Sequence, residues 1–192
     1  MEFGGIATIA NGRAEPMLKP LHIELLTDRG LDEEMLARIG VTSSDRLRGE
    51  CIAIPYWRGD KIVNRKYRTI AGDKAMAQDA GAEKCFWNVD VLHDETLKDH
   101  PIIITEGEFD AMSAIQAGFA RVVSVPDGAP AVALGDVQTK KYDYLNEFPN
   151  LEKAPVVILA TDGDGPGENL LHDLSLRLGR LRCKWVQYPM KS

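Results

Sequence analysis

The chain has 192 residues, 44% of them hydrophobic, and a formal net charge of −6. That is enough for one good core with a smaller second unit, it gives no sign of disorder, and it leaves nucleic-acid binding to a local basic face rather than to global charge. Cys51, Cys85 and Cys183 form no C-x-x-C pair, no stretch is long and apolar enough to cross a membrane, and the start lacks a signal-peptide pattern; a zinc ribbon is excluded, and a reducing, cytoplasmic setting without a membrane partner is expected.

Residues 1–20 are punctuated by Gly4, Gly5, Gly12 and Pro16 and read as an N-terminal extension. Two short helices are predicted between Leu21 and Ile39. The first ends at Gly30; the second opens on Asp32 and Glu33 and closes on Gly40, with acidic residues in the first turn and glycine at the end. Cys51–Pro55 and Lys61–Ile70 flank a Gly59–Asp60 turn and predict a β-hairpin. Charge is uneven here: Arg46 to Lys74 holds eight Lys/Arg against three Asp/Glu. Arg58, Lys61, Lys66, Arg68 and Lys74, with Arg65, form most of a basic strip. Strand alternation puts Lys66 and Arg68 on one face, and Arg65 and Tyr67 on the other. Such a strip, with Tyr56, Trp57 and Tyr67 nearby, suits phosphate contact and base stacking. It equally suits a solvated hairpin whose cations pair with surface carboxylates. Gly81–Asn88 reads as a further strand or an aromatic turn, and Val89–His100 as a polar linker. The small helical and hairpin unit is therefore bounded at 21–95, and 96–192 forms a second domain.

In that domain Pro101–Thr105 is a strand with three consecutive isoleucines, and a helix runs to Gly118. Arg121–Val125 is the next strand, Ala129–Val137 a loop of small residues, and Gln138–Phe148 a helix with Tyr142 and Leu145 inward. Val156–Ala160 is a strand, followed by a helix from Glu168 to Leu178 and a last strand over Arg182–Tyr188. Alternating fully apolar strands and helices predict an α/β unit with a mainly parallel four-stranded sheet, preceded by a small α+β basic subdomain.

Glu106 follows the first of these strands, and Asp162 and Asp164 follow Val156–Ala160. Carboxyl ends of parallel strands are where open α/β sheets bind ligands. If the two strands are neighbours, three carboxylates converge, and such a cluster is costly unless a cation offsets it. Mg²⁺, with Mn²⁺ as a substitute, prefers oxygen ligands and retains positions for water and substrate phosphate. Taken alone, the Asp162–Gly167 stretch is equally an acidic glycine loop that turns the chain. Glu108 and Asp110 are further candidates; Asp110 is also simply a helix-start carboxylate.

These motifs, ITEGEFD with Glu106 and Asp110, SVPDGA at Ser124–Ala129, and ATDGDGPG with Asp162, Asp164 and Gly167, resemble the Toprim domain. That domain is shared by bacterial and phage primases, topoisomerases and OLD-type nucleases. The first motif is closest to the primase form. The upstream basic segment is similar to the subdomain that precedes Toprim in phage and mitochondrial-type primase–helicases. Asp127 and Pro166 depart mildly from the family pattern. The resemblance implies a Rossmannoid Toprim catalytic core of a primase–helicase-type DNA primase, without zinc-binding and helicase domains. It implies Glu106, Asp162 and Asp164 as catalytic residues and Mg²⁺ ligands, with Glu106 alternatively a general base, and Asp110 beside them. Arg58, Lys61, Lys66, Arg68 and Lys74 would then bind nucleotide or template. The expected activity is RNA primer synthesis from ribonucleoside triphosphates on single-stranded DNA in phage-type replication, with a replicative helicase as partner. The alternatives are a metal-dependent nuclease of OLD type and a non-catalytic nucleic-acid-binding replication module. Cleavage by a tyrosine nucleophile fits less well, since Tyr142, Tyr144 and Tyr188 stand in no motif.

Overall fold

The computed structural model describes residues 18–148 and 156–188; most of the extension expected over 1–20 lies outside them. The described residues divide into two units, with the boundary between Lys84 and Cys85. The boundary drawn from sequence at 95/96 falls inside the second unit.

In the first unit, α1 (Pro20–Thr27) opens on a proline, which suits a first-turn position whose N–H would have no intrahelical partner. Helix α2 (Glu33–Ile39) is capped by Asp32, whose carboxylate accepts from the Met35 amide at 3.1 Å, and is stopped by Gly40 at φ 84°. Four antiparallel strands follow in the order β1 (Thr42–Ser44), β2 (Cys51–Arg58), β3 (Lys61–Thr69), β4 (Met76–Gln78). Strands β2 and β3 form the predicted hairpin around Gly59–Asp60. Gly59 has φ 59°, as the first central residue of a tight two-residue turn requires. Strands β1 and β4 were not anticipated: three-residue edge strands of mixed polarity carry no readable period. The Trp57 indole ties the hairpin to α2 by donating to the Ile39 carbonyl at 2.9 Å.

The second unit is built on a four-stranded, fully parallel sheet. Its order is β6 (Val122–Ser124), β5 (Ile102–Thr105), β7 (Val157–Ala160), β8 (Cys183–Trp185). Helix α3 (Glu108–Gln116) follows β5, and α4 (Gly165–Leu178) follows β7. The chain steps from β5 to β6 on one side and returns to β7 on the other. The β5–β7 pair is thus the switch point where such sheets open a crevice at the strands' carboxyl ends.

Three sequence expectations change here. Val89–His100 is not a polar linker: it holds 3₁₀ turns at Val89–Leu92 and Glu95–Leu97, and Val89, Val91, Leu92 and Leu97 are part of the main core. The buried Arg121 fastens it by donating to the carbonyls of Val91, Leu92 and Lys98 at 3.1, 2.7 and 3.3 Å. Polar residues dominated the sequence pattern, while four well-spaced apolar side chains decide the packing. Gln138–Phe148 forms a kinked 3₁₀ segment, Lys140–Glu147, that buries Tyr142 and Tyr144, with Leu145 only partly buried against the core. The last strand is confined to Cys183–Trp185.

Candidate active site

Register explains why Glu106 meets the aspartates. Thr105 of β5 pairs with Ala160 of β7, so the two strands end level. Glu106 leaves one strand immediately and Asp162 leaves its neighbour two residues later. The Asp162 amide points at the Glu106 carboxylate, 3.4 Å from Oε2. The Ala129 backbone amide, on the loop after β6, also favours the charged form of that carboxylate.

Asp164 is the N-cap of α4: Oδ1 accepts from the Gly167 amide at 2.8 Å. This explains why the helix starts at Gly165, before the expected Glu168. Gly167 is obligatory for a different reason. A Cβ there would lie 2.0 Å from the Asp162 carbonyl oxygen and 2.9 Å from the Asp162 amide nitrogen. The helix start therefore passes directly against the backbone that carries Asp162, and only glycine allows that approach.

Burial and neighbouring negative charge dominate the electrostatics at Glu106. Burial, together with the charges of Asp162 and then Asp164, pushes the Glu106 carboxyl above its ordinary value despite the two amides. Asp162 and Asp164 are exposed. Asp110 is exposed at the start of α3 and folds back over its N-cap, Gly107: a Cβ on Gly107 would lie 2.7 Å from Asp110 Oδ2. Tyr188 stands beside this group. Its ring is 3.7 Å from the position of a Cβ on Gly163, and burial, then the charges of Asp110 and Asp162, raise its phenol. Glu108, one residue into α3, is buried.

An oxygen-only set with a carboxyl strained toward neutrality fits a hard divalent cation. Among the described residues no three His, Cys, Asp or Glu side chains close into a ready-made cage. Mg²⁺ commonly takes one or two protein carboxylates and completes its shell with water and substrate phosphate.

The basic residues lie in the first unit and are not equivalent. Arg58 is ion-paired with Glu83. Lys61 is exposed beside the hairpin turn, and Lys74 is exposed between β3 and β4. Lys66 and Arg68 share a face of β3, opposite Ile54 and Ile52 respectively; Lys66 is buried and Arg68 half-buried. On the other face Arg65 lies 3.7 Å from Asp79, and the Tyr67 hydroxyl donates to Asp79 at 2.9 Å. Two of the arginines thus have carboxylate neighbours within their own unit.

The second unit also contains a polar assembly that no sequence motif announced. Asp173, fully buried on α4, accepts from the amides of Leu134 and Gly135, both at 2.8 Å, and from the Tyr142 hydroxyl at 2.7 Å. Burial opposes its ionisation, but these donors prevail and hold the carboxyl below its ordinary value. Arg177 stacks 4.3 Å over the Tyr142 ring. The i, i+4 spacing of these two residues on a helix is the only sequence signal for the pair.

The family model of the Toprim domain matches residues 100–185, the stretch that holds the parallel sheet ordered β6-β5-β7-β8, the acidic residue after β5 and the D-x-D after β7. Residues 100–185 form a Toprim domain. The chain is 34% identical over 194 residues to the primase homolog protein of Arabidopsis thaliana, a match covering 96% of the chain and 55% of that protein. It is 37% identical over 149 residues to the Twinkle homolog protein, chloroplastic/mitochondrial, of the same plant, covering 73% of the chain and 20% of that protein. The chain thus spans about half of the first relative and a fifth of the second. In fold it is similar to the primase fragment of the bacteriophage T7 primase-helicase protein. The TM-score is 0.64 at 21% identity, with 95% of this chain and 74% of that one covered. The Toprim domain accounts for the parallel sheet, and the primase likeness extends across the antiparallel unit as well.

Proposed function

We propose that the chain is the catalytic core of a DNA primase, joining ribonucleotides on a single-stranded DNA template in a phage-type replication reaction. The observation that carries this reading is the meeting of Glu106 with the Asp162–Asp164 pair at the β5–β7 switch point. Similarity to a primase homolog along 96% of the chain supports primer synthesis over the other chemistries that use Toprim domains.

Asp162 and Asp164 would hold Mg²⁺, or Mn²⁺ in its place, with Glu106 as a further ligand. When bound, the ion supplies a Lewis acid that lowers the cost of negative charge on the attacking oxygen and the phosphate. Glu106 has a second role open to it. Its raised affinity for a proton suits it to take the proton of the primer 3′-hydroxyl as that oxygen attacks the α-phosphate. Asp164 keeps its ligand function compatible with capping, because only one carboxylate oxygen is committed to Gly167. Asp110, beside the group, is a supporting carboxylate.

Lys61 and Lys74, exposed, are the first candidates for template phosphates. Lys66 and Arg68, on one strand face, form a more sheltered pair suited to a triphosphate; Arg58 is held by Glu83 and would have to exchange partners. A replicative helicase is proposed as the working partner, supported by likeness to a fragment of a primase-helicase. The three cysteines are buried and unbridged, in keeping with a reducing compartment such as the cytoplasm. No helix among the described residues is long and apolar enough to cross a membrane.

The test is incubation with ribonucleoside triphosphates, Mg²⁺ and single-stranded DNA, with products resolved by length. Template-dependent oligoribonucleotides that disappear in Asp162→Asn/Asp164→Asn support the reading. Shortening of the template by the wild type and not by that variant would replace synthesis with cleavage.

A further inference from the structure

We propose that residues 180–188, the β8 edge of the parallel sheet, form a track for single-stranded nucleic acid. Arg180, Arg182 and Lys184 hold its phosphates, and Tyr188 stacks a base beside Asp162 and Asp164. This rests on the reading of the chain as a primase and adds where a polynucleotide lies on the Toprim domain.

Charge singles out this edge. The chain as a whole has a net charge of −6, yet from Leu174 to its last residue it holds five Lys/Arg and no Asp or Glu. Arg177 is occupied, donating to the carbonyls of Gly135 and Val137 at 2.8 and 2.7 Å. Arg180 and Lys184 are exposed, and among the described residues neither makes an ion pair or a side-chain hydrogen bond. Arg182 is half-buried, and its Nη1 is shielded from water without an acceptor. A buried donor left unpaired is costly, and a phosphate oxygen would satisfy it. Arg58 and Arg65 of the first unit, by contrast, already have carboxylates beside them.

Strand β8 gives these cations a direction. Arg182 enters the ladder through its carbonyl, which accepts from the Val157 amide at 3.0 Å. Alternation then places Arg182 and Lys184 on one face, and Cys183 and Trp185 on the other, where Cys183 joins the core. Strand β8 runs parallel to β7 with Trp185 opposite Leu159, so both strands lead to the same end of the sheet. Tyr188 lies at that end. Its ring is 3.7 Å from the position of a Cβ on Gly163, the residue between the two aspartates. The residue is 52% exposed, which leaves ring surface open to a base. Single strands are bound by this pairing of cations for the backbone with an aromatic platform for a base.

A lysine on an edge strand also keeps sheets from pairing edge to edge. That role accounts for Lys184 alone. It calls neither for the arginines at 180 and 182 nor for a half-exposed tyrosine against the acidic loop.

The experiment measures binding of fluorescein-labelled oligo-dT and oligo-rU, each about 12 nucleotides long, by anisotropy across a range of salt concentrations. The full chain is compared with Lys184→Ala, Tyr188→Ala and the triple variant Arg180→Ala/Arg182→Ala/Lys184→Ala. Lys184→Ala is expected to weaken binding about fivefold at about 0.1 M salt and to flatten the slope of log K against log salt by about 0.7; the triple variant should flatten it by about 2. Tyr188→Ala should weaken binding about tenfold and leave the slope unchanged. A larger loss with oligo-dT assigns the track to the template, and a larger loss with oligo-rU to the primer. Wild-type affinity and slope in the triple variant overturn the proposal, and self-association of that variant would then show that the cations only guard the sheet edge. If the triple variant does not fold, wild-type binding by both Lys184→Ala and Tyr188→Ala overturns it equally. Primer synthesis by a wild type whose track variants bind normally leaves the primase reading standing and the track refuted. A wild-type chain that binds neither oligonucleotide defeats the primase reading itself and the proposal with it.

Discussion

Glu106 and Asp173 belong to the same α/β unit, and backbone amides of the segment between β6 and Lys140–Glu147 favour the charged form of each carboxylate. Their environments nevertheless work in opposite directions. Asp173 meets two amides and a phenol and is held below its ordinary pKa. Glu106 meets two amides but also burial and the charges of Asp162 and Asp164, and is pushed above it. One carboxylate is finished by the protein alone, and the other is left in need of positive charge. A buried acid is thus diagnostic of a site only when its own donors fail to satisfy it.

The variants below break or sharpen that contrast. The largest effect is expected from Gly167→Ala. The new methyl would collide with the Asp162 backbone, so Asp162 and the start of α4 must separate. Chemical denaturation should show a loss of about 3 kcal/mol or more, and Mn²⁺ binding should fall with it.

Next comes Asp162→Asn with Asp164→Asn. Asparagine caps a helix about as well as aspartate, so the unfolding midpoint should stay close to that of the wild type. Mn²⁺ affinity and primer synthesis should drop at least about 100-fold, because the charge is gone while the geometry remains.

Asp173→Ala should cost about 2 kcal/mol by stranding buried donors, read in a denaturant titration. Its pH signature has a definite sign. A depressed carboxyl adds stability above its unfolded pKa and loses it as pH falls through the lower folded value, so the wild type should weaken below about pH 4. The variant should show a shallower acid limb.

Asp164→Ala should cost about 1 kcal/mol through the lost cap, whereas Asp164→Asn should not. Comparing thermal midpoints separates capping from metal binding at a residue that does both.

The smallest change is expected in metal-free buffer from Glu106→Gln. A raised carboxyl favours the fold below its unfolded pKa, and that benefit is lost as pH rises through the folded value. Removing the charge should therefore raise the unfolding midpoint slightly at neutral pH. A lowered midpoint would show that the Asp162 and Ala129 amides outweigh the repulsion.

The strands and helices that position the site are legible in the chain because they are local statements. Three consecutive isoleucines, a fully apolar Val157–Leu159 and glycines after each helix carry their own period and punctuation. The acidic spacing at Glu106 and Asp162–Asp164 is likewise visible. The Gly59 turn predicted the hairpin because a two-residue loop demands one kind of residue at one place. Val89–His100 misled because its few apolar residues gain meaning only against a core assembled from elsewhere.

What only the tertiary structure decided is adjacency. Pairing of Thr105 with Ala160 brings two distant acidic motifs to neighbouring strand ends. The 2.0 Å approach at Gly167 shows why that glycine is required, which spacing alone could not. Asp173 looked like any polar helix residue until a loop almost forty positions upstream in the chain came to lie against it. Residue type and period are properties of a few neighbouring positions. The charge state of a carboxylate depends on every donor and charge that folding brings within a few ångströms, whatever its distance along the chain.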